Sequence, residues 1–127
     1  MKTILVVDDE RKIREIYAQL FSGEGFNVIA AANAIEANDV LLNENVDVML
    51  LDINMPEVDG GILGELANTF HKKTKVIVTS VYSVDDQKQI VQGAVDYYDK
   101  SKGLNELSAK VKTVLGSGTF LDNLYER

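Results

Sequence analysis

The sequence predicts a doubly wound α/β domain, five βα units whose strands form one parallel sheet between layers of helices. Two observations carry that expectation. Short runs rich in Val, Ile and Leu alternate with segments of helical period, the pattern of repeated βα units. The runs also lack polar alternation, which marks strands covered on both faces.

A strand over 3–7 opens the chain. The helix after it is the clearest, because Ile13, Ile16, Tyr17, Leu20 and Phe21 recur at i, i+3, i+4, i+7 and i+8 and make one apolar stripe. Gly23 or Gly25 ends it. A second strand is expected over 26–30. The second helix starts at Asn33, where Glu36 three residues on makes a variant of the capping box and Ala37, Val40 and Leu41 face inward. Asn43-Glu44-Asn45 turns the chain into a third strand over 46–51.

Pro56 and Asp59-Gly60-Gly61 then break the pattern, before a helix carrying Ile62, Leu63, Leu66 and Phe70 that Gly64 weakens. The fourth strand is expected over 76–80, and the helix after it is capped by Ser83, with Asp86 three residues later. A weaker fifth strand, 95–99, leads to a last helix from about Asn105, with Leu107, Val111, Val114 and Leu115 inward and Gly116 as its stop. Residues 1–116 thus read as one domain. Residues 117–127, with Phe120, Leu121, Leu124 and Tyr125, read as a tail that packs on the domain or joins two copies in a homodimer, or as the start of a linker.

Composition narrows the class. At 127 residues the chain has the length of a single core, enough to bury roughly two thirds of the surface its unfolded form exposes. Hydrophobic residues at 46% and charged residues at 26% are ordinary globular usage, which argues against disorder. The net charge of −7 and a pI near 4.6 give a field that repels phosphate backbones, so direct nucleic-acid binding by this domain is not expected. With no cysteine there is no disulfide, thiolate metal site or cysteine nucleophile, which suits a reducing cytoplasm. The first apolar run is too short for a signal segment, and no stretch approaches the ~20 apolar residues of a membrane span. Neither export nor a membrane location is expected.

In such a sheet, ligands bind beyond the carboxyl ends of the strands, where strand order reverses. For five βα units the flavodoxin-like order 2-1-3-4-5 is the commonest simple arrangement, and it sets the first and third strands side by side at that point. The first ends in Asp8-Asp9 and the third in Asp52. Three carboxylates from distant segments therefore converge. Crowded like charges raise one another's pKa unless a cation offsets them. Mg²⁺, which takes oxygen ligands from carboxylates, water and phosphate, suits such a cluster. A carboxylate beside bound metal can also act as nucleophile toward a phosphoryl group. The fourth strand adds the hydroxyl of Ser80, with Thr79 as competitor, and the fifth leads to the cation of Lys100. Both are suited to holding phosphoryl oxygens.

Taken together, Val6-Val7-Asp8-Asp9-Glu10, Leu50-Leu51-Asp52-Ile53-Asn54-Met55-Pro56 with Asp59-Gly60, then Ser80, Gly93-Ala94 with Asp96-Tyr97, and Lys100 resemble the response-regulator receiver family of two-component signalling. The resemblance runs from about Lys2 to Leu115. It implies that Asp52 takes a phosphoryl group from a phosphohistidine on a sensor histidine kinase or phosphotransfer protein. Asp9 matches the direct metal ligand, Asp8 its partner acting through water, and the backbone carbonyl of Asn54 a further ligand beside Asp52. Lys100 matches the lysine that pairs with the phosphoryl group, Ser80 the hydroxyl that swings toward it, and Tyr97 the aromatic whose rotamer follows. Asn54 and Tyr82 match positions that tune the lifetime of the phosphoryl group. The implied activity is autocatalytic phosphorylation and dephosphorylation followed by a change of shape that signals to a partner, rather than turnover of an external substrate.

The sequence departs from the family pattern in three places. The small residue usual after the switching hydroxyl is Val81, which is expected to narrow access to Asp52. The proline usual after the lysine is Ser101, so a trans Lys100-Ser101 peptide is expected, since a non-proline cis bond costs ~3 kcal/mol. The stretch from Ser80 to Lys100 is shorter than the family norm, which predicts an altered fourth helix and partner face.

Each residue alone has a plainer reading. Asp8-Asp9 would serve to charge the start of the first helix, Lys100 would be a solvated surface lysine, and Ser80 a strand-end hydroxyl bonded to backbone. Tyr98, alternating to the other side from Tyr97, reads as structural. His71, beside Lys72-Lys73, reads as a solvated helix end. A receiver-like module that binds a partner without phosphorylation is the second hypothesis, motivated by Val81, Ser101 and the shortened stretch. A flavin carrier is disfavoured because Asp8-Asp9-Glu10 would repel a phosphate. An aspartate-nucleophile phosphohydrolase would place its nucleophile after the first strand and needs a cap for which the chain has little room.

Overall fold

The computed structural model describes residues 1–55 and 73–116. Pro56, the turn at Asp59-Gly60, the helix expected from Ile62 to Phe70, His71 and the segment 117–127 lie outside the described residues. Along the chain the elements are β1 Thr3–Val7, α1 Arg11–Gly23, β2 Asn27–Ala31, α2 Ala34–Asn43, β3 Val48–Asp52, β4 Lys75–Ser80, α3 Val84–Ile90, β5 Asp96–Asp99 and α4 Leu104–Gly116. The strands form one sheet in the order β2-β1-β3-β4-β5, with every neighbouring pair parallel. This is the order expected from the sequence.

Strand alternation divides the core into two layers. Leu5, Val7, Met49, Leu51, Val76, Val78 and Tyr97 face one side, with Ala37 and Leu41 of α2. Ile4, Val6, Val48, Leu50, Ile77 and Tyr98 face the other, with Tyr17 and Phe21 of α1 and Leu107 and Val111 of α4. Full burial of each such aliphatic or aromatic side chain contributes roughly 1.5–3 kcal/mol of transfer free energy. The central strand β3 is buried along its whole length. The edge strand β2 is not, since Asn27 and Ala30 are exposed. Its expected cover on both faces is therefore corrected: an edge position leaves part of a strand in solvent. Ile16, assigned to the inward stripe of the first helix, is likewise exposed, at 39%, because it lies at the margin of a face centred on Tyr17 and Phe21.

Local chemistry marks the end of α1 and the starts of α2 and α3. The Gly25 N–H donates to the Ser22 carbonyl and the Phe26 N–H to the Phe21 carbonyl, at 3.1 and 3.0 Å. Gly25 takes the left-handed conformation, with φ of 92°. This is a Schellman motif closed by the edge-to-face Phe21–Phe26 pair, and it makes Gly25, rather than Gly23, the residue that turns the chain. At the start of α2, Asn33 Oδ1 accepts from the Glu36 N–H, and Glu36 Oε2 accepts from the Ala32 N–H, close to the reciprocal pair the spacing suggested. Ser83 Oγ accepts from the Asp86 N–H and caps α3. That helix has only seven residues. Among the described residues no peptide bond is cis, Lys100-Ser101 included.

Parallel register fixes where the site lies. Val7 pairs with Leu51, Asp52 with Thr79 and Ser80 with Asp99. The carboxyl ends of β1, β3, β4 and β5 therefore meet at one rim.

Candidate functional site

At that rim β1 delivers Asp8 and Asp9, β3 delivers Asp52, β4 delivers Ser80, and β5 leads to Lys100. Oxygens of Asp8, Asp9 and Asp52 all lie within 4.8 Å of one another. Asp8 and Asp52 are buried and Asp9 is exposed, so the cluster has a closed floor and one carboxylate open to solvent. Its donors are hard oxygens only, the set that suits Mg²⁺ rather than a thiophilic metal.

The buried carboxylates are held by partners on both sides. Asp8 Oδ1 accepts from the Glu10 N–H at 2.9 Å, and its Oδ2 accepts from Lys100 Nζ at 2.8 Å. Asp52 Oδ1 accepts from the Asn54 N–H at 2.8 Å, and its Oδ2 lies 3.3 Å from Lys100 Nζ. One ammonium thus bridges carboxylates from two strands. The main chain holds Lys100 in place, because its N–H donates to the Ser80 carbonyl at 2.8 Å. Arg14, which the sequence did not single out, donates from Nη1 to the Asp8 carbonyl at 2.8 Å and ties α1 to the end of β1.

Burial pushes the Asp52 carboxyl above the usual carboxylate range. The Asn54 N–H and the Lys100 charge oppose the rise, and Asp8 adds to it. Burial alone would lower the Lys100 ammonium, but its hydrogen bond to Asp8 and the charges of Asp52 and Asp8 outweigh this and raise it. Tyr17, buried beneath the site, is raised by burial first and then by the charges of Tyr98, Asp8 and Asp52.

The other expected residues surround this group. Ser80 is fully buried; its Oγ donates to Asn54 Oδ1 at 2.8 Å and accepts from the Tyr82 N–H at 3.0 Å. The Val81 N–H also donates to Asn54 Oδ1, at 3.0 Å. The Asn54 side chain therefore connects the β3 and β4 ends of the rim. The side chain of Val81 is largely exposed and that of Tyr82 about half so. Tyr97 is buried against the α2 side of the sheet, its hydroxyl donating to the Val91 carbonyl at 2.7 Å and its ring 6.0 Å from Lys88 Nζ. Thr79, the competitor of Ser80, is buried too, but it is Ser80 that joins the Asn54 network.

Gln87 is among the buried polar residues that the sequence reading passed over. Gln87 is fully buried on α3, donating from Nε2 to the Tyr82 carbonyl at 2.8 Å and the Tyr98 carbonyl at 2.9 Å. The available signal was its spacing, three after Val84 and four before Val91, which puts it on the inward face.

The sequence matches the family model of the response regulator receiver domain over residues 4–112. The chain belongs to that family. This receiver domain is 34% identical over 114 residues to response regulator MprA of Mycobacterium sp. (strain KMS), covering 88% of this chain and 50% of MprA. It is 29% identical over 116 residues to sporulation initiation phosphotransferase F of Bacillus subtilis (strain 168), covering 88% of this chain and 92% of that protein. The receiver domain thus spans about half the length of MprA and nearly all of the second relative. Among solved structures it is similar to response regulator TrrA of Thermotoga maritima in complex with Mg²⁺ and BeF, with a TM-score of 0.80 and 37% identity over 91% of this chain and 100% of that one. Receiver domains are signalling modules of two-component systems rather than enzymes that turn over an external substrate. No described helix is long and apolar enough to cross a membrane.

Proposed function

We propose that this receiver domain accepts a phosphoryl group on Asp52. The observation that carries the reading is the bridge of Lys100 Nζ to Asp8 at 2.8 Å and Asp52 at 3.3 Å, beside the solvent-facing Asp9. In the transfer, an Asp52 oxygen attacks the phosphorus of a phosphohistidine on a sensor kinase or phosphotransfer protein. The new O–P bond forms as the N–P bond breaks, and the leaving imidazole nitrogen takes up a proton. Asp8, Asp9, Asp52 and the backbone carbonyl of Asn54 would hold Mg²⁺, which supplies charge neutralisation for the transferring group. Lys100 is within reach of phosphoryl oxygens on Asp52, and Ser80 supplies a hydroxyl at the same rim.

The output is a two-state switch in which Ser80 and Lys100 close on the modified Asp52 and Tyr97 follows. Only interactions that differ between the states count. Moving the population from 1:99 to 99:1 takes about 5.5 kcal/mol, and charge-assisted hydrogen bonds of roughly 1.5–3 kcal/mol each are of the right size. Residues 1–116 form the receiver unit and 117–127 a tail or linker. The setting is the cytoplasm, the upstream partner a histidine kinase or phosphotransfer protein, and Asn54, Val81 and Tyr82 set how long the phosphoryl group survives.

Incubation with radiolabelled acetyl phosphate and Mg²⁺ tests the reading. Asp52→Asn is expected to take up no label, and labelling as strong as in the wild type would overturn the assignment. The seven-residue α3 favours a second reading, an interaction module that works without phosphorylation. A wild-type chain that takes up no label while still binding its partner would establish it.

A further inference from the structure

Gln87 is polar yet fully buried. Both partners of its Nε2 are main-chain carbonyls, Tyr82 at 2.8 Å and Tyr98 at 2.9 Å, while its Oε1 is buried without a hydrogen-bond partner among the described residues. Burying Oε1 unpaired is costly, whereas an apolar side chain of similar size would instead take the Nε2 donor from both carbonyls. The position of the two carbonyls is informative. Tyr82 also donates its N–H to Ser80 Oγ, so one residue is bound to the hydroxyl at the rim on one side and to Gln87 on the other. Tyr98 directly follows Tyr97 on β5 and lies two residues before Lys100.

We propose that Gln87 is a positioning residue that couples the Ser80–Tyr82 turn to β5, so that a change in the hydrogen bond of Ser80 reaches Tyr97 through the Gln87 amide. This rests on the reading of Asp52 as phosphoacceptor. When Ser80 Oγ leaves Asn54 Oδ1 for a phosphoryl oxygen, the Tyr82 N–H must follow it or lose its acceptor. The Tyr82 carbonyl moves with the same residue. Gln87 Nε2 has two hydrogens and both are committed, so it cannot follow Tyr82 without disturbing Tyr98. Among the described residues its Oε1 has no bond to break in such a shift, and it gains one wherever a donor becomes available.

The test is a titration of the full chain with beryllofluoride and Mg²⁺, read by backbone amide shifts and by the side-chain amide signal of Gln87. In the wild type the Gln87 Nε2 protons are expected to shift in step with Ser80, Tyr82 and Tyr97. Gln87→Met, which preserves length but removes both donors, is expected to retain the shifts at Asp52, Asn54 and Ser80 while those at Tyr97 and Asp99 shrink several-fold. A Gln87 amide that stays fixed while Ser80 and Tyr97 move would overturn the coupling, as would an unchanged β5 response in Gln87→Met. The wild-type signal decides the matter even if the variant does not fold. A wild type that responds nowhere overturns the Asp52 reading itself, and the coupling with it.

Discussion

Asp52 is under opposing demands: the proposed role as nucleophile needs it ionised, yet burial raises its pKa above the ordinary 3.8. A raised carboxyl contributes stability that is present at low pH and lost as pH rises through its folded value. At neutral pH its charge therefore costs stability unless a cation is bound. Asp52→Asn is accordingly expected to raise the melting temperature in metal-free buffer, by about 4 °C for a gain on the order of 1 kcal/mol, measured by calorimetry with a chelator present. Lys100 is the reverse case. Its replacement by Met leaves Asp8 and Asp52 facing each other without an ammonium, and the loss of one partner of a buried ion pair costs roughly 3 kcal/mol. Urea unfolding should show this loss, and the Asp52→Asn, Lys100→Met double variant should recover part of it.

Between elements, the join of α1 to α4 depends on Glu24. Its carboxylate accepts from Ser108 Oγ at 2.8 Å and from Lys112 Nζ at 3.0 Å. Burial pushes its pKa up, but these two partners outweigh that and hold it below the usual 4.5. A depressed carboxyl contributes stability above its unfolded pKa that disappears as pH falls through the folded value. Glu24→Gln should therefore cost about 0.5–1 kcal/mol at pH 7, a difference that closes in acid when the two melting temperatures are followed downward in pH. The turn beside it makes a sharper demand. At φ of 92° a side chain at Gly25 is strained, and Gly25→Ala is expected to lose about 1–2 kcal/mol, visible as a shift of the urea midpoint with unchanged slope.

For the molecule as a whole, alkaline pH is the weak side. Tyr17 and Tyr98 are raised above 10.0, by burial first and then by neighbouring charges. Lys100 is raised above 10.5 by its carboxylate partners, against burial. All three shifts have the same sign, so their contribution is complete below the ordinary values and is lost as pH climbs through the folded ones. From neutrality the melting temperature should be level up to about pH 10 and fall beyond it, with tyrosinate absorbance from Tyr17 and Tyr98 appearing only as the chain unfolds. Mg²⁺ should act in the opposite sense near neutrality, raising the melting temperature through preferential binding to the native cluster. Asp9→Asn, at an exposed position, should reduce that rise without disturbing the core; an equal rise in the variant would remove Asp9 from the proposed metal site.

Sequence alone determined the sheet order, the caps at Asn33 and Ser83, and the meeting of Asp8, Asp9, Asp52, Ser80 and Lys100. Each follows from a local pattern combined with one topological rule, so neighbours in space can be inferred from strand ends. Tertiary structure decided what local patterns do not encode. Ile16 is apolar but exposed, and β2 is partly open, because burial depends on which elements arrive from elsewhere. Gly25 rather than Gly23 turns the chain because Phe26 folds back on Phe21. Gln87 and Arg14 acquire their roles from main-chain carbonyls outside their own helices, and a carbonyl carries no side-chain signature by which a sequence could announce it.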